Sequence, residues 1–184
     1  EIQGLDMLRQ SYLRNRIRLR PWPPFEENKP LNVDELRERL QILLNNPAVE
    51  RLNARLGPGD RPGESRLDLD VQEAPQFGVE LKFNNYQVPS VGEYQGEAGL
   101  LVRSVAGYGD PLDVNGSFAD GLQEGNLSYS IPLTPWDLSA YVTGQITHSK
   151  VVEGDFKDLD IESNTLSIEF GLQAPVYRDS EHDV

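Results

Sequence analysis

After Pro75 apolar residues occupy every second position in one segment after another, and this period of two restricts the fold more than any other feature of the chain. Phe77, Val79, Leu81 and Phe83 alternate with Gly78, Glu80 and Lys82. Tyr94, Ala98, Leu100 and Val102 alternate with Gln95, Glu97, Gly99 and Leu101, and Leu112, Val114 and Phe118 with Asp113, Asn115 and Ser117. Three more such runs extend from Leu127 to Leu133, from Leu138 to Ile146 and from Leu166 to Leu172. Each run has one apolar and one polar face, so residues 76–184 are expected to form an antiparallel meander of six strands.

Two architectures accept this pattern. A soluble sandwich buries the apolar faces between two sheets, whereas an outer-membrane barrel turns them to lipid and keeps the polar faces for its lumen. Connector lengths favour the barrel, in which short turns on one side alternate with longer loops on the other. Asn84 to Glu93 is long, Ala106 to Asp110 short, Asp120 to Gly125 intermediate, Thr134 to Asp137 short, and Val152 to Ser163 long and acidic. On this reading Tyr108, Trp136 and Tyr177 lie near one membrane interface, and Tyr86 and Tyr94 near the other. Val79, Leu81, Leu100, Val114, Ile131, Val142, Ile168 and Phe170 are expected to face lipid. Glu80, Lys82, Glu97, Asn115, Ser130, Gln145 and Glu169 are expected to face the lumen. Six strands are too few to close a bacterial barrel, so an incomplete transmembrane β-barrel is expected, with further strands beyond Val184. No run of about 18 apolar residues exists, which excludes a transmembrane helix.

Residues 1–75 differ in both period and charge. They hold 12 basic and 13 acidic residues, against 5 and 17 in residues 76–184. Leu8, Tyr12, Leu13 and Ile17 recur at helical spacing from Asp6, with Arg9, Arg14, Arg16 and Arg18 on the other sides, until Pro21-Trp22-Pro23-Pro24 stops the helix. A membrane-surface or calmodulin-like helix is the alternative, but the apolar face is narrow and a core lies nearby. A second helix is predicted after Asn32, which caps it, with Glu35 completing a capping box and Val33, Leu36, Leu40, Leu43 and Leu44 forming one stripe. Asn45-Asn46-Pro47 ends it. Leu52, Ala54 and Leu56 then alternate with Asn53 and Arg55, Gly57 to Gly63 turn the chain, and Leu67, Leu69 and Val71 alternate again. With an opening strand ending at Ile2, this is an α+β unit carrying its helices on one face of a short sheet.

The residues nominate no catalysis and no cofactor. Without cysteine, disulfides, thiolate chemistry and cysteine-based zinc sites are excluded. His148 and His182 are far apart in sequence and fit no zinc pattern. Asp155, Asp158, Asp160 and Glu162 lack the order and central Gly of an EF-hand, so no metal is expected. No carboxylate pair stands out for glycoside hydrolysis. Gly107-Tyr108-Gly109 lacks the third glycine and following helix of a dinucleotide fingerprint and reads as a tight turn. A net charge of -13 opposes nucleic acid as a partner.

The stretch from Pro30 to Ala74 resembles the membrane-proximal POTRA domain of two-partner-secretion transporters of the haemolysin-secretion ShlB and FhaC type. Asn46-Pro47, Arg51-Leu52-Asn53-Ala54, Pro58-Gly59, Pro62-Gly63-Glu64-Ser65 and Val71-Gln72-Glu73-Ala74 carry the likeness in order. It continues through Asn84-Asn85, through Gly107, Gly109, Asp110 and Leu112, and through Ser128 to Leu133. The resemblance implies a POTRA-like periplasmic domain at 1–75, barrel strands at 76–184, and an upstream domain and further barrel strands outside this stretch. It implies a non-enzymatic outer-membrane pore that receives an unfolded secreted exoprotein and contacts lipid. Val49 to Leu56, including Arg51, Leu52, Asn53, Ala54 and Arg55, is the sheet edge expected to take up an extended segment of that partner. A proline at Asn53 is expected to block docking where that amide points outward. A soluble β-sandwich adhesin or carbohydrate-binding module is the alternative.

Overall fold

The computed structural model describes residues 1–17, 32–61, 63–135, 137–154 and 157–174. The expected helix stop at Pro21 to Pro24, and Pro62, Trp136, Asp155, Tyr177 and His182, lie outside the described residues.

Among the described residues, the first part of the chain is a three-stranded sheet with two helices. β1 (Ile2–Gln3) pairs parallel with β3 (Ser65–Glu73), which pairs antiparallel with β2 (Val49–Pro58), giving the order β1-β3-β2. α1 (Gln10–Ile17) begins later than the helical spacing from Asp6 predicts. The Glu73 carboxylate is the reason: it accepts from the backbone amides of Asp6, Met7 and Leu8 at 3.1, 2.6 and 2.8 Å and so holds them in a loop. Leu8 is buried all the same. The predicted cap of α2 (Val33–Leu44) forms, with Asn32 Oδ1 accepting from Asp34 N and Glu35 N. The reciprocal half of the capping box does not, because Glu35 binds Arg39 one turn on, at 2.8 Å.

Leu13, Leu36, Leu43, Ala48, Val49, Leu69 and Val71 form the centre of the core, with Leu40, Leu52 and Leu67 packed around it. The apolar stripe of α2 is narrower than predicted, since Val33 and Leu44 are exposed and only Leu36, Leu40 and Leu43 meet the core.

Beyond Pro75 the expected six strands form a single antiparallel sheet in sequence order. They are β4 (Phe77–Asn84), β5 (Gln95–Val102), β6 (Leu112–Ala119), β7 (Leu122–Pro132), β8 (Ser139–Lys150) and β9 (Glu162–Gln173). No α-helix occurs among the described residues of this part; only short 3-10 turns appear, at Pro89–Val91 and Lys157–Leu159. β7 starts five positions before the predicted Leu127, and its connection to β6 is the two-residue turn Asp120-Gly121. The polar run Gln123-Glu124-Gly125-Asn126 hid this strand half from apolar counting. Gly121 suits the tight turn because the Lys150 carbonyl sits where a Cβ would lie. The loop after β4 folds over this end, with Gly121 N and Val152 N donating to the carbonyls of Val91 and Ser90 at 2.8 Å each.

Because Leu13 is fully buried and Val33 is half exposed, Leu13→Ala should destabilise the first part by about 2–5 kcal/mol, whereas Val33→Ala should cost under about 1 kcal/mol. Hydrogen exchange at the amides of α2, β2 and β3 measures both; equal losses of protection would contradict this core. In the same assay Asn32→Ala should lower protection of the first turn of α2 by about 1 kcal/mol.

Candidate functional site

Strand register sorts the side chains of the six-stranded sheet onto two faces. Glu80, Gly99, Asn115, Asn126, Gln145 and Ser167 stand opposite one another in one row from β4 to β9. Lys82, Glu97, Ser117, Glu124, Thr147 and Thr165 form the next, two residues along. Ser130 and Glu169 have the same parity, so all seven residues expected on the polar face share it. The face is concave and lined with groups that bind one another. Lys82 Nζ lies 2.9 Å from Glu80, Asn84 donates to Glu97 at 2.8 Å, Ser117 to Glu124 at 3.1 Å and Tyr141 to Glu169 at 2.7 Å.

The other face carries Val79, Leu100, Val114, Leu127 and Ile168 in one row and Phe77, Val102, Leu112, Tyr129, Val142 and Phe170 in another, with Leu81 and Ile131 of the same parity. No second layer covers it among the described residues. Leu81 is 78% and Phe170 83% exposed, values foreign to a sandwich core. At its outer end Tyr94 stacks on Phe83 with ring centroids 6.0 Å apart.

Among the described residues, β2 is an outer strand of the smaller sheet. Its backbone directions follow from its neighbour. Leu69 N donates to Glu1 O at 2.8 Å and Leu67 O accepts from the Glu1 ammonium at 2.7 Å, so these groups face β1. In an antiparallel ladder such residues oppose partners whose own amide and carbonyl point outward. Those partners are Leu56 and Ala54, and by alternation Leu52. Asn53, opposite Asp70, therefore bonds inward to β3, so the condition attached to a proline at Asn53, an outward amide, is not met. Alternation identifies a strand, but only pairing decides which of its amides are free.

A third feature was read from the sequence only as a tight turn. In the β5–β6 connection Asp110 is fully buried and Ser104 nearly so. The Asp110 carboxylate accepts from Ala106 N at 2.7 Å, Tyr108 N at 2.9 Å and the Tyr129 hydroxyl at 2.9 Å. An Asp that closes a turn on its own backbone is a recognisable signal, and Gly-Tyr-Gly-Asp is where it stood. The Tyr108 ring lies edge-on to Tyr12 at 6.4 Å and beneath the Arg9 guanidinium at 4.8 Å. His148 pairs across strands with Asn164, and Lys150 joins Asp160 and Glu162 at 2.6 and 2.8 Å. No group of three potential metal ligands gathers among the described residues.

Residues 63–184 match the model of the haemolysin secretion/activation protein family ShlB/FhaC/HecB. The outer membrane transporter CdiB-2 of Burkholderia pseudomallei (strain 1026b) is 27% identical over 156 residues, covering 77% of this chain and 26% of its own length. The heme/hemopexin transporter protein HuxB of Haemophilus influenzae (strain 86-028NP) is 26% identical over 147 residues, covering 79% and 26%. The chain thus spans about a quarter of these curated relatives, which are transporters rather than enzymes. Among solved structures, BamA from Haemophilus ducreyi lacking POTRA domains 1–3 superposes with a TM-score of 0.71 at 17% identity over 93% of this chain and 31% of that one. CdiB from Escherichia coli superposes at 0.64 and 18% identity over 98% and 33%. The open six-stranded sheet accordingly has the fold of part of an outer-membrane β-barrel. A two-faced sheet of this register and a family match over most of the length lead to one conclusion: the chain belongs to the ShlB/FhaC/HecB family of two-partner-secretion transporters.

Proposed function

We propose that this chain is the section of a two-partner-secretion transporter that receives an unfolded exoprotein in the periplasm and delivers it to the pore. Residues 1–75 act as a POTRA-like docking domain, and residues 76–184 supply barrel strands whose polar face, from Glu80 and Lys82 to Glu169, lines the passage. The observation that carries the reading is the outer edge of β2, where Leu52, Ala54 and Leu56 turn their backbone groups away from the sheet. An extended segment can add to such an edge through main-chain hydrogen bonds, with little demand on its own sequence. α2 packs over β2 and would form the other wall. Ala54 and Leu56 are exposed on the helix side of that edge and offer apolar contact, while Arg51 and Arg55 offer polar contact on the opposite side. The polar face suits a passing chain because its carboxylates are largely engaged by neighbours and hold no strong site that would trap a segment.

Proline substitution separates docking from folding. Ala54→Pro removes an outward amide and no bond to β3, so the barrel should assemble normally while export of the exoprotein falls by about tenfold or more. Asn53→Pro removes an inward bond and should instead destabilise the hairpin. Normal export by a folded Ala54→Pro transporter would place recognition elsewhere.

The face assignment has its own check. Leu100→Arg or Val114→Arg should reduce folding stability in bilayers by about 2–4 kcal/mol, whereas Asn115→Arg on the polar face should leave stability nearly unchanged and alter passage. Equal damage from both classes would reverse or remove the lipid and lumen assignment.

A further inference from the structure

We propose that α1 is a two-point clamp that holds the helix-bearing part of the chain in one fixed orientation beneath the barrel, so that the first part does not swing. Parts of one chain that meet through a modest polar interface ordinarily move relative to each other. Here the contacts are grouped at the two ends of a single short helix and reach two successive connections of the large sheet. At its start, Arg9 N donates to Gly107 O at 2.9 Å, Arg9 Nη1 donates to the Tyr108 hydroxyl at 2.9 Å, and the same guanidinium covers the Tyr108 ring. At its end, Arg16 pairs with Asp137 in the β7–β8 connection, with both side chains largely buried. The Arg16 guanidinium also lies 4.6 Å from the centroid of the Tyr12 ring, which links the two ends through the helix itself.

Attachment at one end would leave a pivot. Attachment at Arg9 and again at Arg16, about 10 Å apart along a helix, leaves only the line through the two contacts as an axis, and the short covalent link from Glu73 at the end of β3 to Phe77 at the start of β4 opposes turning about it. The first seat is built firmly. The β5–β6 connection is built around buried Asp110, and Gly107 and Gly109 adopt φ of +90° and +65°, which present the turn closely to its neighbours. A Cβ on Gly107 would lie 2.8 Å from Arg9 Cγ, and one on Gly109 would overlap the Asn46 amide, which itself donates to Tyr12. On the other side, Glu73 at the end of β3 fixes the loop that leads into α1. The direction of the β2 edge relative to the barrel is therefore set by α1, whether or not that edge is where a partner docks.

Distance measurement by pulsed electron resonance tests this in the full-length transporter in lipid nanodiscs, with spin labels on cysteines introduced at Arg55 in β2 and Ser163 in β9 and no other cysteine present. The unaltered clamp should give one narrow distance distribution. Arg16→Ala combined with Tyr108→Ala, which removes the side-chain contacts at both ends and leaves the Arg9 N to Gly107 O bond and buried Asp110 in place, should at least roughly double its width, while heat-modifiable gel mobility shows the barrel still folded. Each single substitution should broaden it less than the pair. A broad distribution before any substitution, or a narrow one that survives the double substitution in a folded barrel, would overturn the clamp. Should the double variant fail to assemble, Asp137→Asn with Tyr108→Phe weakens the same two contacts while preserving shape, and an unchanged width there would overturn it equally.

Discussion

A sheet that presents Val79, Leu81, Val114, Ile168 and Phe170 on one face, with no described residue packed over them, needs apolar surroundings on that face. That requirement governs the rest of the architecture. It explains the strict alternation, because a one-residue slip in any strand would bring Glu80 or Asn115 to the apolar face and Leu81 or Val114 to the polar one. In the meander order each strand finds its backbone partners in the strands next to it in sequence. The chain accordingly spends its apolar residues in two ways. The small α+β part buries its own around Leu13 and Leu43, while the large sheet leaves its own outside.

Polar groups on the inner face follow different logic from those in a catalytic cleft. Glu80 with Lys82, Glu97 with Asn84, Glu124 with Ser117 and Glu169 with Tyr141 are matched locally, in pairs on one strand or between adjacent strands. Pairs of this kind keep a wetted wall polar without concentrating an unsatisfied charge, and cross-strand partners also pin register. The aromatic ring of Tyr141 lies over Gly171, which has no side chain to obstruct it, and so joins β8 to β9 on the same face.

The buried carboxylate of Asp110 is the exception, and it lies at the junction rather than on the wall. Fully removed from water, it is satisfied by two turn amides and the Tyr129 hydroxyl, and so ties the β5–β6 connection to β7. Charge-assisted bonds of this kind are short and directional, and removing one partner from a buried carboxylate is costly. The turn thereby becomes a firm seat for Arg9 and Tyr12. Glu73 does the corresponding work on the other side, taking three successive amides ahead of α1.

Much of this was legible in the sequence because alternation and helical spacing are local properties. The six strands, the two helices, the Asn32 cap and the division of Glu80, Lys82, Asn115 and Gln145 from Val79, Leu100 and Val114 all follow from which residues recur two or nearly four positions apart. Counting apolar residues failed where polarity is allowed on both faces, as in the first half of β7, and where a distant side chain overrides local preference, as Glu73 does for Asp6 to Leu8. What only the tertiary structure decided were relations between segments remote in the chain: that β2 is an outer strand, that Ala54 rather than Asn53 turns its amide outward, and that Arg9 and Arg16 meet Tyr108 and Asp137. A sequence records the period of its own residues and so determines faces; which partner lies across a strand, and which side of it remains open, is fixed only when the ladder is assembled.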